Sequence, residues 1–139
     1  MPSITVVPAS ANARIGYAQV TSAFGPGAPG TLQVLAPARR QAGVLASLSR
    51  SPGVAAAVPG PTRGGWTMDQ VVPTTGPSTA ATGATIARLR RSLPRGSLVG
   101  GAAAENYDLE RSLVSHTPLV FGGSGRSTRR AGSSSPPPP

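Results

Sequence analysis

Cysteine and lysine are both missing from the 139 residues. Without thiols the chain has no disulfide, no thiolate nucleophile and no cysteine-ligated zinc or iron–sulfur centre. One histidine, His116, is too little for a metal site, so neither a metal nor any other cofactor is implied. No apolar run approaches the roughly 18 residues of a transmembrane helix. The stretch 1–20 lacks a basic segment leading into an apolar one, so a secretory leader is not expected. Acids are nearly absent, with four Asp and Glu against 13 arginines and a net charge of +9.

Large core-forming side chains are also few. Leu, Ile, Val and Phe together number 27, about 19% of the chain, just under the roughly 20% below which a charged chain tends to disorder. A mean hydropathy of -0.04 points the other way, but it rests largely on 21 alanines. Alanine buries little area, at about 25 cal/mol per Å², against an ordering cost of roughly 1–2 kcal/mol per residue. The expected state is a mostly disordered, low-complexity chain carrying short isolated α-helices. Ala, Gly, Pro and Arg make up 68 residues, about half the chain. All four have GC-rich codons, so the missing lysine speaks first of the coding DNA and only weakly of arginine-specific chemistry.

The expected segments run as follows. Residues 1–36 hold weak strand signals, Ile4 to Val7 and Gly16 to Phe24, which suggest a hairpin near 4–24. Residues 37–50 form a helix candidate over 38–50, with Pro37 at its start and Ala38, Ala42, Leu45 and Leu48 on one stripe. Residues 51–82 read as a Pro/Gly/Thr linker, because Pro52, Pro59, Pro61, Pro73 and Pro77 do not suit a central strand or a helix interior. Residues 83–121 carry helix candidates at 84–93 and 102–115, the second stopped by Pro118. The basic Ser/Pro tail 122–139 reads as disordered.

No catalytic constellation emerges. Gly25 to Gly30 spells G-x-G-x-x-G, but two prolines interrupt it and the first acid, Asp69, lies far downstream, so it reads as a linker and not a dinucleotide loop. His116 has Ser115 beside it and Asp108 upstream without triad spacing. Glu105, Asp108 and Glu110 read as a solvated helix turn.

The sharpest feature is the arginine cluster Arg88, Arg90, Arg91 and Arg95. Guanidinium forks match phosphate geometry. With Arg126, Arg129 and Arg130, and with Arg63-Gly64-Gly65-Trp66 offering an indole to stack on a base, the cluster points to nucleic acid. Adsorption to an anionic membrane and dibasic processing at Arg88-Leu89-Arg90-Arg91 compete with that reading. The expected function is therefore a non-enzymatic basic interaction peptide for phosphate-rich partners, with no small-molecule substrate implied. Two alternatives stand beside it. One is the product of a GC-rich reading frame with no evolved molecular function. The other is an organelle-targeted precursor, whose acid-free residues 1–68 have a transit-like composition.

Overall fold

The computed structural model describes residue 6 and residues 8–121, the last six of these as backbone only. The expectation of a mostly disordered, low-complexity chain is overturned there: four helices and a five-stranded antiparallel sheet enclose one core. In chain order the elements are α1 (Asn12–Phe24), β1 (Leu32–Pro37), α2 (Gln41–Arg50), β2 (Val54–Val58), β3 (Thr62–Arg63), β4 (Trp66–Pro73), α3 (Ala80–Ser92), β5 (Leu98–Gly100) and α4 (Ala102–Phe121). Single 3₁₀ turns occupy Ala28–Gly30 and Ala38–Arg40.

The sheet order is β2-β4-β1-β5, with the two-residue β3 paired to β4. Leaving out β3, the chain runs β-α-β-β-α-β, and each helical crossover skips one strand that fills the gap from the other half. This is the split β-α-β, or ferredoxin-like, topology. Helices α2, α3 and α4 share the core with β1, β4 and β5, all on one face of the sheet. Leu32, Val34 and Ala36 of β1 alternate inward beneath Val44 and Leu48 of α2 and Ile86 and Leu89 of α3, all fully buried. Small residues set the helix spacing: the Tyr107 ring lies against Gly83, where an added Cβ would come within 2.9 Å of it.

The helix candidates hold their places with shifted bounds, as α2, α3 and α4. Helix α4 runs past Pro118 to Phe121; proline removes one backbone bond, to the carbonyl of residue 114, and Val114 is itself 74% exposed. The hairpin expected near 4–24 is corrected: 12–24 is helical, and of Ile4 to Val7 only Val6 lies among the described residues. With no strand beside it, this segment pairs its backbone groups internally as a helix. The supposed linker 51–82 supplies three strands, including β4, which pairs with β1, β2 and β3. Its prolines fit because Pro73 is the last residue of β4 and Pro59 and Pro61 lie between strands. Residues 1–68, read as a transit-like segment, contribute β1, β2, β3 and the start of β4 to the sheet. The tail after residue 121, with Arg126, Arg129 and Arg130, lies outside the described residues.

Candidate nucleic-acid interface

Two consecutive glycines make the turn on which the site is built. Gly64 and Gly65 have φ of 58° and 80°, the left-handed pair that a two-residue hairpin of matching twist requires. The turn makes Arg63 and Trp66 direct cross-strand partners, so their side chains share a face. It is the outward face, away from the helices, and Trp66 stays 42% exposed there.

Further arginines converge on the same end of the sheet. The backbone N–H of Ala38 donates to the carbonyl of Gly65 at 2.8 Å, which holds Arg39 and Arg40 beside the hairpin. Arg40 Nη1 donates a long bond, 3.5 Å, to the carbonyl of Arg95, 55 residues away in sequence. Helix α3 descends from the far end of β4 to the near end of β5, which brings Arg91, in its last turn, to this pole as well. Arg39, Arg40, Arg63, Arg91 and Arg95 are all exposed. Of the acids, Asp69 is buried under α2 and the other three are on α4, where Asp108 reaches Arg90 in the last turn of α3.

The structure thus divides the sequence-derived cluster. Arg91 and Arg95 belong to the pole, whereas Arg88 and Arg90 leave α3 on its flanks and tie down neighbouring elements. Arg88 Nη1 donates to the carbonyl of Pro52 at 2.6 Å. Arg90 forms a two-pronged bond with Asp108, Nη1 to Oδ1 at 2.5 Å and Nη2 to Oδ2 at 2.9 Å, and also donates to the carbonyl of Val99 at 3.0 Å. One guanidinium therefore links α3, α4 and β5. The Arg88-Leu89-Arg90-Arg91 processing pattern sits inside α3 with Leu89 fully buried, unlike the exposed loop tips that proteases prefer.

The hydrogen bond from Arg90 holds the Asp108 carboxyl below the usual carboxylate range. A lowered carboxyl pKa contributes stability above the unfolded value, near 3.9, and loses it as pH falls through the folded value. Asp108→Asn is expected to cost at most about 1 kcal/mol at pH 7, since both side chains are partly exposed. The gap to the native protein should narrow as pH falls below the unfolded carboxyl value of about 3.9. Urea unfolding midpoints at pH 7 and below that value check this, and a gap that persists at low pH removes the ion pair as its cause.

Two features were invisible in the sequence. Arg39 and Arg40 joined the site only through the fold, although their adjacency was plain. The second feature is a buried polar knot behind β4. Asp69 Oδ1 accepts from Gln41 Nε2 at 2.8 Å, Thr67 Oγ1 at 2.9 Å and the Gly60 N–H at 3.0 Å. It braces the strand that presents Trp66. Elsewhere, a cleft of about 530 Å³ between the first turn of α3 and α4 has Tyr107 and Glu110 as its ionisable groups. Gly25 to Gly30 precedes a strand where the dinucleotide fingerprint follows one. Among the described residues no group of three or more His, Cys, Asp or Glu side chains is placed to hold a metal, and no helix is long and apolar enough to cross a membrane. The His116 side chain lies outside the described residues.

No protein-family model, curated protein or solved structure matches the chain.

Proposed function

We propose that this protein binds single-stranded nucleic acid, without catalysis, at the arginine pole. The observation that carries the reading is the contact of Arg40 with the Arg95 carbonyl. It ties the Arg39–Arg40 turn to the Arg95 loop, at the end of the sheet where Trp66 is half exposed beside Arg63. Guanidinium groups contact phosphates along the backbone, and an exposed indole stacks on a base. Stacking of that kind needs an unpaired base, which favours single strands over duplex. Asp108, the acid that reaches the last turn of α3, is already paired with Arg90, so an approaching polyanion meets the exposed arginines first.

Fluorescence anisotropy of a labelled oligothymidylate across a salt series tests the proposal. Five phosphate contacts predict a log–log salt slope of about -3.5, at roughly -0.7 per contact on single strands. Arg39→Gln with Arg40→Gln should reduce the slope by about 1.4. Trp66→Ala should weaken binding by about 1–3 kcal/mol and leave the slope unchanged. Arg88→Gln, on the helix layer, should leave both unchanged. Absence of binding at low salt would sink the reading.

A further inference from the structure

We infer that Arg63 reads the base stacked on Trp66 and selects guanine, an inference that rests on the nucleic-acid reading of the arginine pole and names the ligand of that same site. The neighbours of the indole carry it. Trp66 stands between Arg63 on β3 and Pro37 on β1, its two cross-strand partners. Met68 comes next on the same face of β4, opposite Leu35. Of these side chains only Arg63 has strong hydrogen-bonding groups, and all of them are donors.

The fork of Arg63 is also available. Among the described residues nothing bonds to it, whereas Arg40, Arg88, Arg90 and Arg111 are each engaged. Directly opposed residues of a strand pair have Cβ atoms about 4.5–5.5 Å apart, so the guanidinium rises beside the indole. The glycines of the turn add no wall: a Cβ built at Gly64 or Gly65 meets nothing within 4 Å. A base stacked on the indole above that bare turn presents one edge to the β3 side, where Arg63 stands. The platform beneath is fixed. The Ala38 N–H donates to the Gly65 carbonyl at 2.8 Å, and the Met68 N–H to the Pro61 carbonyl at 3.1 Å. Holding the hairpin in place cuts the ordering cost of binding.

A donor-only fork selects adjacent acceptors. Guanine offers N7 and O6 side by side, and a planar guanidinium meets both at once. Adenine has an equal stacking face, but its N6 amino group turns a donor toward the fork. Thymine separates its two carbonyls by an N–H. Cytosine has two adjacent acceptors on its pairing edge, but its single ring covers less of the indole, and stacking follows buried area. Guanine alone joins a two-ring face to an edge of acceptors only.

Fluorescence anisotropy of the full chain with labelled oligothymidylates, each with one central thymine replaced, reads the outcome. Guanine should bind about tenfold tighter than adenine. The 7-deazaguanine base keeps the face and loses the N7 acceptor, and it should fall to within about twofold of adenine. Hypoxanthine keeps N7 and O6 without the exocyclic amino group and should match guanine. Arg63→Gln replaces the fork with an amide that pairs with adenine N6 and N7, so the preference should reverse to adenine. The salt slope should fall by about 0.7 in the same variant. Equal affinity for guanine and adenine overturns the inference. So does 7-deazaguanine binding as tightly as guanine, or an Arg63→Gln protein that still prefers guanine. Binding that ignores the base leaves nucleic-acid binding at the pole standing, whereas no binding to any of these oligonucleotides at low salt removes both.

Discussion

Asp69→Ala is expected to lower the free energy of unfolding by about 3–4 kcal/mol, because it leaves buried donors without an acceptor. Asp69 is fully buried and its Oδ1 takes three donors. Gln41 Nε2 and Thr67 Oγ1 keep their mutual bond of 2.6 Å after the carboxyl is gone. The Gly60 N–H does not, since the carboxylate is its acceptor. The second oxygen, Oδ2, has no hydrogen-bond partner, so part of the native cost of burying the carboxylate is already present. Asp69→Asn keeps an acceptor for Gly60 and should lose only about 1–2 kcal/mol. Urea denaturation with an unchanged m value reads both. A loss below about 1 kcal/mol for Asp69→Ala would show that the knot does not brace β4.

Gly27→Ala should cost about 3 kcal/mol, a steric effect at the upper end of overpacking. A Cβ built at Gly27 falls 1.6 Å from the carbonyl oxygen of Pro73 and 2.5 Å from its carbon. The obstacle is backbone at the end of β4, so no side-chain rotation relieves it. Gly30 is similarly close to Pro77, at 2.8 Å from its Cβ. The contrast is Gly16, inside α1, where an added Cβ meets nothing within 4 Å. Gly16→Ala should stabilise the protein by about 0.5–1 kcal/mol through helix propensity and a stiffer unfolded chain. Thermal unfolding of the two variants side by side checks the pair. Equal effects would mean that Gly25 to Gly30 is a slack connector and not a packed one.

Helices were the legible part of this fold. Ile86, Leu89 and Leu93 repeat at helical spacing and all three are buried; in α2 the expected stripe through Ala42, Leu45 and Leu48 is displaced, with Val44 and Leu48 buried and Ala42 exposed. That period is local and survives any composition. The strands were illegible for two separate reasons. In the first half of β4 the alternation runs backwards, with Thr67 and Asp69 inward and Trp66 and Met68 outward, before Gln70 and Val71 restore it. The inward positions are tolerated only because Gln41, 28 residues away from Asp69, supplies a donor. In β2 the residues are Val-Ala-Ala-Ala-Val, whose small side chains carry no period at all. Gly64-Gly65 between Arg63 and Trp66 was the one hairpin signal in reach, and the prolines around it masked it.

Of the candidate site the sequence offered residue types and not their grouping. Arginine-rich composition and a lone tryptophan suggested phosphate contact and stacking, which remains a proposal, and the fold decides which arginines share an end of the sheet with Trp66. Arg88 and Arg90 looked equivalent to Arg91 along the chain. Successive residues on a helix point about 100° apart, so the packing of α3 decides which of them faces solvent and which reaches Pro52 or Asp108.

By itself the sequence determined the exclusions. No cysteine means no thiol chemistry, a single histidine leaves little for a metal, and +9 with no lysine makes arginine the only strong cation. Whether the chain folds was settled by order and not by amount. The few large aliphatic side chains are concentrated at inward positions, Leu32, Val34, Val44, Leu48, Val71, Ile86 and Leu89, each fully buried. Burial depends on where apolar groups meet in space, and composition averages that information away. Only the tertiary structure brings Arg40 to Arg95 and turns Trp66 outward beside Arg63.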